Sequence, residues 1–172
     1  KCIIISTDKD FYQLIDERIS VWSPGSKKEW TVDKVIQEFG IHPTNFCLAR
    51  CFVGDGSDGL KGVPGAGFRS LAKRFASFSN KESLAVSDIL TECEDLRKQK
   101  RLKLYDSIID NEEIINKNWK LMYLGHGNVS GSQAKKVDEL LEISDSKRDK
   151  LGFIRSLRSL GIKNFDYDKL FM

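Results

Sequence analysis

A continuous apolar run, Cys2-Ile3-Ile4-Ile5, passes directly into a polar and acidic junction, Ser6-Thr7-Asp8-Lys9-Asp10. Uninterrupted apolar runs of this kind are typical of a strand buried on both faces of a parallel sheet, because a strand with one wet face alternates instead. Such a strand needs neighbours, and later strand signals are few and short. Ile19 to Trp22 alternates and ends at the turn Ser23-Pro24-Gly25-Ser26, with Trp30 to Val32 as a candidate hairpin partner. The expected fold class is therefore α/β, the edge of a parallel-sheet domain whose remaining strands lie in sequence outside these 172 residues. On this reading the chain is a piece of something longer.

Downstream, the pattern turns helical. Residues 32–39 read as a helix closing at Gly40, and Pro43 sits just inside the start of another that runs through Phe46, Ala49, Cys51 and Phe52. Residues 54–67 form a glycine-rich loop, and residues 68–78, 82–101, 112–124, 132–143 and 147–160 carry the apolar spacing of amphipathic helices. With 40% apolar and 31% charged residues the chain is not of disordered type. No apolar run approaches the roughly 18 residues of a membrane span, and no signal peptide opens the sequence. The expected setting is cytoplasmic. Cys2, Cys47, Cys51 and Cys93 have neither zinc-clamp nor CxxC spacing and read as buried free thiols. His42 and His126 lack partners at metal-ligand spacing, and Trp119 and Tyr123, four apart, read as helix packing.

The net charge of +3 is unevenly spread. Lys61, Arg69, Lys73 and Arg74 occupy one acid-free stretch, and Arg97, Lys98, Lys100, Arg101 and Lys103 another. Clustered basic charge suits a phosphate backbone, and it equally suits a solvated helix face.

Three short constellations could carry chemistry. Asp8 and Asp10 follow the apolar strand, where open α/β sheets bind ligands, but an aspartate there also serves as an ordinary helix N-cap. Asp55 and Asp58, in Gly54-Asp55-Gly56-Ser57-Asp58-Gly59, are spaced to reach one hard cation through carboxylate oxygens, though an Asp/Gly turn without metal fits the same letters. The third is Lys61-Gly62-Val63-Pro64-Gly65-Ala66-Gly67, running into Phe68-Arg69-Ser70-Leu71-Ala72-Lys73-Arg74. Its glycines allow close backbone approach to a ligand, and Arg69 and Lys73 share one helical face; a tight helix-to-helix turn is the alternative.

Taken in order, Ser-Thr-Asp-Lys-Asp-Phe-Tyr-Gln-Leu, Gly-Asp-Gly-Ser-Asp and Gly-Val-Pro-Gly-Ala-Gly, the three resemble the flap endonuclease/5′-3′ exonuclease superfamily. Val21-Trp22-Ser23-Pro24-Gly25-Ser26-Lys27-Lys28-Glu29-Trp30 is similar to the T-even-phage ribonuclease H branch, implying a phage replication nuclease acting in the host cytoplasm. The resemblance covers roughly residues 1 to 75. It implies the C-terminal edge of a PIN-like nuclease domain in residues 1–53, then a helix–two-turn–helix and a mainly helical DNA-binding lobe in residues 54–172. It also implies Asp8, Asp10, Asp55 and Asp58 as catalytic ligands of two divalent ions, Mg²⁺ or Mn²⁺. Val63 and Ala66 would offer carbonyls to K⁺, and Lys61, Gly62, Gly65, Gly67, Arg69, Ser70 and Lys73 would contact DNA. The implied partners are duplex DNA with a 5′ flap or an RNA–DNA hybrid, and the absent N-terminal nuclease portion; no membrane is implied.

Gly59 departs from the pattern, standing where many bacterial and phage relatives have Asn. The family's further acidic residues and helical arch have no counterpart in this sequence and would lie upstream of Lys1, so the chain alone is expected to be inactive. Four aspartates crowded without cations should repel, loosening the loop or keeping some carboxyls protonated. A non-catalytic duplex-binding module is the competing reading. A PIN-type ribonuclease is a third, but it gives no reason for residues 62–73.

Overall fold

The computed structural model describes residues 1–125, 127, 129–142, 149–162 and 164–166 of the protein. Contacts divide the chain into two compact units, Lys1–Leu124 and Gly125–Met172.

In the first unit the opening run forms β1 (Cys2–Ile5), which pairs in parallel with β2 (Ile19–Ser23); β2 pairs antiparallel with β3 (Lys28–Trp30). The strand order is β1-β2-β3. Register aligns Ile4 with Val21 and Val21 with Trp30, so one row of side chains across the sheet meets the core. Alternation along a strand sends Ile3 and Ile5 to the other face, where they are 60% and 72% exposed. Burial on both faces is expected only with neighbours from sequence outside these 172 residues, and within them one face stays uncovered. Among the described residues nothing pairs with β1's outer edge or covers its second face, so an apolar strand stands at the sheet border.

After β1, Asp8 accepts a hydrogen bond from the Asp10 N–H (2.8 Å) and caps a 3-10 turn, Lys9–Leu14. The hairpin partner ends at Trp30 because Thr31, in extended conformation, becomes the N-cap of α1 (Val32–Phe39). Gly40 closes α1 at φ +69°, and a Cβ there would lie 2.7 Å from the Ala72 Cβ, so the glycine also lets α3 (Phe68–Arg74) approach. A 3-10 turn, Pro43–Asn45, leads into α2 (Phe46–Val53), whose residues from Phe46 to Phe52 are all buried. A helix that is apolar nearly all round belongs inside a core. Around it gather the Lys9–Leu14 turn, α3 and α6 (Glu112–Met122), with Tyr12, Trp30, Phe39, Phe46 and Phe68 forming an aromatic cluster.

The expected helix over residues 68–78 breaks at Phe75 and resumes as a 3-10 turn, Ala76–Ser79. The one expected from residue 82 begins only with α4 (Val86–Gln99). Buried Asn45 explains the delay: its amide donates to the carbonyls of Asn80 and Glu82 and accepts from Leu84 N–H, each at 3.0 Å, holding that strip extended. A further helix, α5 (Lys103–Asp110), packs on α4 and is not separable by periodicity alone.

The second unit contains α7 (Gly131–Glu142) and α8 (Lys150–Ser159), neither with a buried residue. Phe153 meets Phe165 edge to face. Residues 143, 147 and 148 of the expected helices, and His126, lie outside the described residues. Cys47, Cys51 and Cys93 are buried free thiols, whereas Cys2 is exposed on the uncovered edge strand, correcting the expectation for that residue. Among the described residues no helix is long and apolar enough to cross a membrane.

The segment leaving α2 folds back across it with almost no clearance. A Cβ on Gly62 would stand 2.0 Å from the Val53 carbonyl oxygen, and one on Gly54 (φ +78°) would stand 2.4 Å from the Gly62 nitrogen. Two backbones in contact cannot yield to a side chain, so Gly62→Ala is expected to destabilise the first unit by about 3 kcal/mol, at the upper end of overpacking costs. Urea denaturation measures this; an unchanged midpoint would show that the crossing is looser than described.

Candidate active site and nucleic-acid interface

The crossing fixes where the second acidic segment emerges. Asp55 leaves the end of α2 and closes a small loop by exchanging backbone hydrogen bonds with Leu60, both 2.8 Å. Gly59 sits in that loop at φ +69° with open space around its α-carbon, a conformation Asn also tolerates better than most residues. The departure at this position is therefore compatible with the loop's shape. Asp8 and Asp10 arrive from the other side, on the turn after β1.

Arg50 joins the two segments. It lies on α2, only 8% exposed, one turn before the acidic loop. Its Nε donates to Asp10 Oδ1 at 3.0 Å and its Nη2 meets the same oxygen at 2.9 Å, while Nη2 also donates to Asp55 Oδ2. Sequence reasoning passed over this residue, although the signal was present: it is the single charged side chain in an eight-residue helix that is otherwise apolar, and a buried charge is rarely without a paired role. Asp10 and Asp55 are thus brought together through a guanidinium. Asp8 neighbours Asp10 through its cap and is exposed; Asp58 is exposed, with no polar partner among the described residues. No group of three or more His, Cys, Asp or Glu side chains gathers in metal-binding geometry among the described residues.

The charges respond differently from simple mutual repulsion. Burial holds the Asp10 carboxyl above the usual range, against the opposing pull of Arg50. Asp55 moves the other way, down to about 2, chiefly because the Ser57 hydroxyl donates to it, helped by Ser57 N–H (2.9 Å) and Arg50. Of the expected carboxyl shifts toward the protonated form, Asp10 moves in that direction, mainly through burial, while Asp55 does not, because donors and a cation compensate it.

Two neutral amides brace the site. Gln13 donates to the Asp10 carbonyl (2.8 Å) and the Met122 carbonyl (3.0 Å) and accepts from Leu124 N–H (3.0 Å), tying the Asp8–Asp10 turn to the end of α6. Buried Asn118, on α6, donates to the carbonyls of Cys51 and Lys61, both 2.9 Å, clamping α2 to the glycine loop. Trp119 and Tyr123 stack on each other at 4.5 Å.

In the glycine loop, Val63 is buried and its N–H reaches the Phe52 carbonyl (2.7 Å), while Ala66 N–H reaches the Val63 carbonyl (3.0 Å). Gly65 adopts φ +83° and Gly67 is the extended N-cap of α3. Ser70 Oγ accepts from Gly67 N–H (2.7 Å) and lies near the Gly65 and Gly67 carbonyls, so its hydroxyl is used within the turn. Lys61, Arg69, Lys73 and Arg74 are exposed and meet no carboxylate among the described residues. The second basic run differs: Arg97 and Arg101 both approach Asp106 (3.2 and 3.6 Å), and Lys98 pairs with Asp95.

Comparison with known proteins relates this chain to the 5′-3′ exonucleases and flap endonucleases. It is 35% identical over 81 residues to the 5′-3′ exonuclease of Buchnera aphidicola subsp. Schizaphis graminum, covering 45% of this chain and 28% of that protein. It is 36% identical over 83 residues to flap endonuclease Xni of Shewanella woodyi, covering 46% and 33%, and 30% identical over 106 residues to the thermostable DNA polymerase I of Thermus thermophilus, covering 60% and 12%. The chain therefore spans a third or less of these curated relatives. No family model matches it. Its fold is similar to part of that of T5 5′-exonuclease with bound zinc, at TM-score 0.57 and 23% identity over 70% of this chain and 42% of that one. A T5 flap endonuclease complex with DNA and metal ions gives the same score at 21% identity, with the same coverage of both chains.

The Asp55 carboxyl, depressed in the folded chain, contributes stability that is fully present above its unfolded value near ~3.9 and is lost as pH falls through about 2. Ser57→Ala removes the main donor, so stability in EDTA should fall above pH ~4 and change less steeply between pH ~4 and ~2 than in the wild type. Urea titrations across that window give the slopes; identical slopes would show that Ser57 does not set the Asp55 carboxyl.

Proposed function

We propose that this chain forms part of a structure-specific 5′ nuclease, hydrolysing phosphodiesters in DNA with a 5′ flap or in RNA–DNA hybrids during replication and primer removal, in the cytoplasm of a cell or of a phage's host. The observation that carries the reading is the meeting of Asp10 and Asp55, far apart in sequence, beside a glycine crossing that opens into an unpaired basic helix.

The donor set is all carboxylate oxygen, which fits hard divalent ions in kind, and the cation already lodged between Asp10 and Asp55 marks that spot as one that accepts positive charge. Asp8, Asp10, Asp55 and Asp58 would hold Mg²⁺ or Mn²⁺. When bound, such ions generate a nucleophile from water and offset charge on a transferring phosphate. The chain's own residues supply the rest. Gln13 and Asn118 keep the two acidic segments in register, while the apolar wall of α2 behind Arg50 excludes water from one side of the site.

Lys61, Arg69 and Lys73 would contact successive phosphates, and Gly62, Gly65 and Gly67 would allow the backbone to approach the duplex. Ser70 would act by shaping that turn, and the Val63 and Ala66 carbonyls would receive K⁺ from the duplex side. Backbone grip of this kind is sequence-tolerant and salt-dependent. The division of labour we propose is nuclease edge in residues 1–53 and duplex binding in residues 54–172, although residues on both sides of that point share one compact unit. Further carboxylates would come from polypeptide outside this sequence, seated against the free edge of β1.

A non-catalytic duplex-binding module is the second reading, favoured by one observation: Arg50 already compensates Asp10 and Asp55 without metal. A labelled 5′-flap substrate with Mg²⁺ separates the two. This chain alone is expected to bind duplex weakly and leave it uncut, and cleavage is expected once the upstream nuclease polypeptide is supplied. In that complete protein Asp8→Asn or Asp58→Asn should reduce cleavage by ~100-fold or more, in the range of a lost metal ligand or its partner, with binding retained. Unchanged cleavage in both variants would leave the module reading standing, and robust cleavage by this chain alone would show that other carboxylates carry the reaction.

A further inference from the structure

Arg50 has no part in the chemistry proposed above, yet it sits at the centre of the site. A guanidinium cannot shed its proton in a protein, so a buried one must be paired. Here the pairing is divided unequally. On Asp10, one oxygen, Oδ1, receives both Nε (3.0 Å) and Nη2 (2.9 Å) of Arg50, and Oδ2 has no partner among the described residues. On Asp55, both oxygens are engaged: Oδ1 takes the N–H and the hydroxyl of Ser57, and Oδ2 takes Arg50 Nη2. A cation arriving at Asp10 finds a free oxygen. One arriving at Asp55 is left with Oδ2, since both lone pairs of Oδ1 are committed to Ser57, and there the Arg50 guanidinium stands as a like charge beside the one remaining lone pair.

We infer that Arg50 is a built-in counter-cation, a positioning residue that holds Asp10 and Asp55 together in the metal-free protein and gives up Asp55, but not Asp10, when a divalent ion loads. This rests on the nuclease reading and extends it to how the site is kept assembled before metal arrives. The asymmetry of the contacts assigns the two halves of the exchange. Nε and Nη2 both meet Asp10 Oδ1, whereas Nη2 alone meets Asp55, so Asp55 can be released without unpairing the buried charge. Like charge between the guanidinium and the ion sets Arg50 against metal affinity, while its bridge favours the folded apo state.

The test is manganese binding by isothermal titration calorimetry, with thermal unfolding in EDTA and in Mn²⁺, on the full 172-residue chain. Arg50→Met keeps length and removes charge. It is expected to lower Tm in EDTA, to tighten Mn²⁺ binding roughly tenfold through loss of the opposing charge, and to regain more Tm on Mn²⁺ addition than the wild type does. Arg50→Lys keeps the charge but cannot bridge two carboxylates, and is expected to tighten binding less, about threefold. It remains informative should the Met variant not fold without metal. Wild-type binding of Mn²⁺ with unchanged or weaker affinity in both variants would overturn this inference and leave the nuclease reading intact. Absence of Mn²⁺ binding in all three proteins, together with no flap cleavage by the complete protein, would overturn both.

Discussion

Backbone contact between the last turn of α2 and Gly62 is the constraint on which the functional half of this structure depends. A chain leaving a fully buried helix has little room to turn, and here it turns by laying one peptide directly against another, with a glycine on each side of the contact. That choice determines the rest. Asp55 emerges beside Arg50 and, through it, Asp10, Val63 is drawn under α2 to bond the Phe52 carbonyl, and α3 begins with its basic residues outward. Asn118 secures the arrangement from α6 by occupying carbonyls on both strands of the crossing.

The electrostatics follow from burial. Carboxylates at the end of a buried helix would be costly without compensation, and the structure compensates each in a different way. Asp10 relies on the Arg50 guanidinium and remains raised by its surroundings; Asp55 collects a hydroxyl, an N–H and the same guanidinium and is depressed. Asp8 and Asp58 stay in water. The four residues that look equivalent as letters therefore occupy three distinct environments, and only the inner two are joined.

How much of this was legible in the sequence differs by element. The β1 and β2 strands, α1 with its Gly40 stop, and the glycine loop followed by a basic helix were readable because each has a local signature: an apolar run, a C-terminal glycine, a cluster of residues that tolerate positive φ. The residues that organise the site were not, because their roles are non-local. Arg50, Asn118, Gln13 and Asn45 each act through a partner 39 to 111 positions away, and only Arg50, a charge inside an apolar helix, left a trace. The delayed start of α4 and the break at Phe75 were hidden for the same reason, since tertiary hydrogen bonds override helix periodicity. The exposed face of β1 follows the same logic, because an apolar strand reports what it can bury, while its burial in this chain depends on the neighbours present.

Gln13 carries one more implication, for the order in which the molecule takes shape. Its carbonyl oxygen and amide are satisfied by backbone groups 109 and 111 positions later in the chain, so the acidic turn beside it cannot acquire its final form until α6 has docked. Contacts of such long sequence separation form late, because loop closure must precede them. During ribosomal synthesis, the strand and hairpin would be in place while the turn still awaited its distant clasp. The acidic turn therefore depends, for the two hydrogen bonds that brace it, on a helix more than a hundred residues further along the chain.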